Sequence, residues 1–101
     1  MTLQDPGEPP ISVTCEASEE GWHCDVRVGD DAVSTEHRVT VDRAALAGLA
    51  PGATSPEELV VASFRFLLER EPREAIMRAF ELPIISRFFA DYGAEISRRL
   101  G

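Results

Sequence analysis

The sequence contains no lysine, so all ten of its basic side chains are arginine. With its abundant alanine this looks like the codon bias of a GC-rich bacterial genome, so arginine in place of lysine carries no functional meaning at any one site. No apolar run approaches the roughly 18–20 residues that a membrane-spanning helix needs. Met1 to Pro10 lack both the basic start and the apolar middle of a secretory signal. The expectation is a cytoplasmic protein without a membrane partner. Cysteine is scarce, two in 101 residues, and the two form no C-x-x-C motif. There is no glycine-rich phosphate loop, no assembled Ser-His-Asp constellation, and no carboxylate pair with a reason to be buried. These absences lean away from an enzyme and from a bound cofactor, and no residue is assigned a catalytic role.

What is present is acidic and unevenly distributed. The net charge is −8. Residues 1–55 hold ten acidic side chains against three basic, and residues 56–101 hold eight against seven. Nucleic-acid binding rests on neutralising phosphates, so the excess of carboxylates argues against it. The same excess keeps a protein soluble, or offers a docking face to a basic partner.

The chain is long enough for one hydrophobic core and too short for two. Its first ten residues, MTLQDPGEPP, read as a disordered leader with little to bury. From Ile11 to Val41 the pattern has period two. Ile11, Val13, Cys15 and Ala17 alternate with polar residues, as do Trp22, Cys24, Val26 and Val28, and then Val33, Thr35, His37, Val39 and Val41. Three such runs separated by short turns predict an antiparallel meander with strands 11–17, 22–28 and 33–41. One face should be buried and the other wet.

Beyond Asp42, which can cap a short helix over 43–49, the pattern turns helical. Ser55-Pro56-Glu57-Glu58 is a capping box with proline at the first helical position, opening a helix over 56–70. Its apolar residues cover most of its circumference, which marks a central helix covered on two sides. Further helices are expected over 72–80, 83–89 and 91–100. The fold class is α+β, a three-stranded meander packed in two layers on C-terminal helices.

Two groups of residues stand out as candidate sites. With Ala17 facing Trp22 and Val28 facing Val33, Cys15, Cys24 and His37 would form one row across the inward face of the sheet. Two thiolates and an imidazole suit zinc. No fourth ligand is at hand, so core packing with reduced, metal-free cysteines is the expectation, a metal or thiol site is the alternative, and a reducing cytosol argues against a disulfide. His23 should face solvent beside Asp25 and Arg27. The second group is Ile84, Ile85, Phe88, Phe89 and Tyr92, which share one helical face; they either pack against the central helix and close the chain's own core or, where the core lacks room for them, leave an exposed apolar patch. Such a face suggests an interface, and a homodimer is the commonest form. The stretch FRFLLEREPREAIMRAFELPIISRFF, residues 64–89, resembles small uncharacterised bacterial proteins, and the resemblance carries no activity and no site residue. The function expected is a non-enzymatic interaction module, with a carrier of a small apolar ligand held between sheet and helices as the alternative.

Overall fold

The computed structural model describes residues 10–30, 33–49 and 55–100. The expected leader, but for Pro10, and the loop over 50–54 lie outside these. Strands β1 (Ile11–Ala17), β2 (Gly21–Gly29) and β3 (Ser34–Asp42) form the expected meander. Helices α1 (Arg43–Leu49) and α2 (Pro56–Leu68) follow. A short strand, β4 (Ala79–Glu81), completes a four-stranded sheet of order β1-β2-β3-β4. After it come a 3-10 turn (Leu82–Ile84), the single turn α3 (Ile85–Phe88) and the closing helix α4 (Tyr92–Leu100).

The period-two reading is correct through the middle of the sheet and fails at its ends, where Val33, expected inward, is 59% exposed just before β3, and Ala17 is exposed at the end of β1. Cys24, Val26, Val28, His37, Val39 and Val41 are buried. Glu16, His23, Asp25, Glu36 and Arg38 lie exposed on the opposite side. Helices cover only the inner face, giving two layers. The first hairpin has the expected register, with Ala17 opposite Trp22 and Cys15 opposite Cys24. The second does not. Val28 pairs with Thr35 rather than Val33. Asp30 closes the turn more tightly, its carboxylate accepting the Val33 N–H at 3.1 Å and its own N–H reaching the Val33 carbonyl at 3.1 Å. Gly29 makes this possible with φ of 117°, a conformation that side chains resist, and a Cβ there would lie 2.2 Å from the Val33 oxygen. The slip is two residues, so every side chain keeps its face and changes its neighbour.

Both predicted caps form. The Asp42 carboxylate accepts the Ala45 N–H at 2.6 Å, and the Ser55 hydroxyl accepts that of Glu58 at 3.3 Å. Helix α2 is central as expected, with Leu59, Val60, Phe64, Phe66 and Leu67 all buried. It runs between the sheet and α4 and ends at Leu68, short of Arg70.

The helix expected over 72–80 is the main correction. Only Arg73–Ala75 makes a helical turn, and Ile76 is already extended. Residues 79–81 then pair in parallel with Arg38, Val39 and Thr40. The helix-spaced pairs Arg70–Glu74 and Glu74–Arg78 offer only tenths of a kcal/mol each. Against them, the open edge of β3 supplies backbone hydrogen bonds, including Arg38 N–H to the Arg78 carbonyl at 2.6 Å, and an extended chain buries Ile76. Tertiary contacts override local propensity here. The expected helix 83–89 shrinks for the same reason to one turn of 3-10 and one of α, and α4 begins at Tyr92.

Candidate functional site

The cysteine–histidine row does not form. Cys15 and Cys24 are opposite one another and joined as a disulfide, with Cα atoms 4.0 Å apart, rather than reduced. The slipped second hairpin places Val39 beside Cys24 and puts His37 opposite Val26. Two sulfurs bonded to each other are not thiolate ligands. Among the described residues, no cluster of three or more His, Cys, Asp or Glu side chains is placed to hold a metal ion.

His37 is engaged elsewhere. Its Nδ1 lies 2.8 Å from the Met77 carbonyl oxygen, which can only accept, so Nδ1 carries the proton. Its Nε2 lies 2.9 Å from the Thr35 hydroxyl, a second hydrogen bond to the ring. The ring also packs on Phe64, centroids 5.3 Å apart. This buried imidazole ties β3 to the segment entering β4. His23 is exposed on the outer face, opposite Glu16 and Thr40.

The five C-terminal residues divide between core and surface. Tyr92 is wholly buried, its hydroxyl 2.6 Å from Ser63 Oγ and its ring edge-on to Phe66. Burial pushes the phenol up to about 12, and the Ser63 hydrogen bond offsets part of that. Ile85 is also buried. Ile84 and Phe89 are half-buried, and Phe88 is 65% exposed. The surface left to a partner is therefore Phe88 with parts of Ile84 and Phe89.

Phe88 stands on the rim of an apolar groove of about 440 Å³. The segment before β4 contributes Ala75, Ile76 and Met77 to its lining, and β4 itself contributes Phe80. Leu67 and Ile85 also line it, and among the described residues Glu71 is the single charged one on the lining. Met77, 41% exposed, faces this groove as a second large apolar group open to water. Beside it Arg70 seals the end of the core, its guanidinium 3.7 Å from the centre of the Phe66 ring and 2.8 Å from the Asp91 carboxylate. Arg99 donates to Glu69 at 2.7 Å, and this bond holds the Glu69 carboxyl below its ordinary range.

Met77 is missed by the sequence reading because its segment reads as helix, and Phe80 is expected there on an inward helical face rather than in a strand. The signal for the alternative was there. Ile76, Phe80 and Leu82 are spaced by even numbers, which in an extended chain puts them on one side, and Pro72 and Pro83 bracket the segment. Comparison with known proteins finds no matching family model, no matching curated protein and no matching solved structure.

Proposed function

We propose that this chain is a non-enzymatic protein-interaction module, homodimeric in solution, whose apolar groove under Phe88 receives apolar side chains of a bound protein. The observation that carries the reading is Phe88, a large apolar side chain 65% exposed at the mouth of a preformed groove. Water contact at such a site is costly, and large exposed apolar groups beside a concave lining mark docking surfaces. No titratable group beyond Glu71 lines the groove, so acid–base chemistry has no pair of groups to work with there. The acidic sheet half speaks against a nucleic-acid partner, and no helix among the described residues is long and apolar enough to cross a membrane.

A carrier of a small apolar ligand is the second reading, favoured by the groove's volume, which falls in the range of small-molecule sites. The cytoplasmic location expected from the sequence sits poorly with the Cys15–Cys24 bond, since disulfides persist mainly in oxidising compartments.

The groove is tested with the apolar dye ANS. The expected result is saturable binding by the wild type and loss of that binding in Phe88→Asp, with the thermal melt unchanged because Phe88 lies outside the core. Absence of saturable binding in the wild type overturns the reading. A copurified apolar mass in a native mass spectrum shifts it to the ligand carrier.

A further inference from the structure

Strand β1 is one edge of the sheet, and its backbone alternation can be read from its two ends. The Gly29 N–H donates to the Pro10 carbonyl at 2.9 Å, and the Ser18 N–H donates to the Gly21 carbonyl at 2.7 Å. The carbonyl of Pro10 and the N–H and C=O groups of the even-numbered residues from 12 to 18 therefore point toward β2. Ile11, Val13, Cys15 and Ala17 direct theirs the other way, and among the described residues no strand pairs with that side.

Proteins guard such edges with lysine, proline, a bulge, an inward charge or brevity. The opposite edge is guarded, since β4 has only three residues, starts after Arg78 and stops two residues before Pro83. β1 has none of these devices within its length, the one nearby being Pro10 just before its first residue. It runs seven residues without proline or basic side chain, and all seven pair with β2 without a bulge. Its one charge, Glu16, is on the outer face. On the inner face Ile11, Val13 and Cys15 are only half-buried under the helix layer.

We propose that β1 pairs with β1 of a second copy about a two-fold axis at Thr14, joining two sheets into one across the dimer. This rests on the homodimer reading above and assigns it a seam. An antiparallel pair centred on Thr14 sets Ile11 opposite Ala17, Ser12 opposite Glu16 and Val13 opposite Cys15 of the other chain. In that register Ile11, Val13, Cys15 and Ala17 form the closely hydrogen-bonded pairs, so every outward N–H and C=O finds a partner. A two-fold axis makes the seam self-complementary and closes the assembly at two copies. Inner-face neighbours are apolar throughout. Each Glu16 faces a serine, so no like charges meet. The helix layers stay on one side of the joined sheet, and the groove under Phe88 remains open.

Sedimentation across micromolar to submillimolar concentration, with amide hydrogen exchange of the intact chain, tests the seam. The expected result is a dimer in which the amides of Ile11, Val13, Cys15 and Ala17 exchange slowly, and lose that protection on dilution to monomer. Thr14 is exposed, and Thr14→Lys sets two like charges face to face on the axis. It should weaken dimerisation by roughly tenfold or more, less at high salt, with each subunit still folded. Phe88→Asp should leave the dimer intact. A dimer that survives Thr14→Lys but dissociates on Phe88→Asp overturns the seam at β1 and keeps the homodimer. Fast exchange of the four amides in an intact dimer also overturns the seam. A monomer at every concentration overturns both.

Discussion

Tyr92 brings a phenol into the core with Ser63 as its hydrogen-bond partner. Its ionisation is held up to about 12 in the folded chain, against an ordinary value near 10. The native state thus holds a proton that the unfolded chain releases, and the associated stability is complete below pH 10. It falls as pH climbs through 10 toward 12, by on the order of 2–3 kcal/mol. Tyr92→Phe should flatten that alkaline limb of a denaturant-midpoint profile against pH. At neutral pH it should cost about 1 kcal/mol for the lost hydrogen bond. An unchanged limb would show that the phenol is not buried. His37 makes a different residue-scale contribution. Its side chain joins β3 to the Met77 backbone, and His37→Leu leaves the Met77 carbonyl without that donor. A loss of about 1–3 kcal/mol in chemical denaturation is expected. A smaller loss would mean that water reaches the carbonyl. Neither role was visible beforehand, because an inward histidine or tyrosine announces burial and not the atom it will meet.

At the scale of elements, the meander was legible because period-two alternation needs nothing from the rest of the chain. Val26, Val39 and Val41 could point only one way once the strands paired. Ser55 and Asp42 were legible for the same reason, since a cap acts within three residues. The second hairpin's register was not, because Val28–Val33 and Val28–Thr35 pairings bury the same faces. Only the Asp30 turn decides between them, and the error moved His37 away from the cysteines. The β4 segment failed for the opposite reason, its conformation being set by a strand 41 positions earlier, Ala79 against Arg38. The disulfide also belongs to this scale. Cys15–Cys24 closes a loop with a sequence separation of 9 and clamps β1 to β2. Replacing both cysteines with serine, or reducing the wild type, should lower stability by about 2–3 kcal/mol, read as a shift in urea midpoint. Identical midpoints with and without reductant would show that the clamp contributes nothing.

For the whole molecule, the division into sheet and helical layers followed from the change of hydrophobic period near Asp42, and the structure has that division. The distribution of surface between core and partner did not follow. Five apolar residues on one helical face looked like an interface, yet Ile85 and Tyr92 close the molecule's own core and Phe88 alone is largely exposed. Counting apolar side chains cannot say which are consumed internally, because that depends on where the chain after Pro72 turns. An edge strand is equally silent in sequence, since Ile11–Ala17 would read the same in the middle of a sheet.

The parallel pairing of β4 with β3 also sets an order of events during synthesis. Chains emerge from the ribosome N-terminal end first, and the meander is complete once Asp42 is out. At that moment Val26, Val28, Val39 and Val41 face water, and β3 has nothing on its outer side. Helix α2 must arrive to cover the face, and Ala79–Glu81 must arrive later still to cover the edge. A nascent chain paused between these points displays an unsealed sheet, with an apolar face and an unpaired edge both open to water.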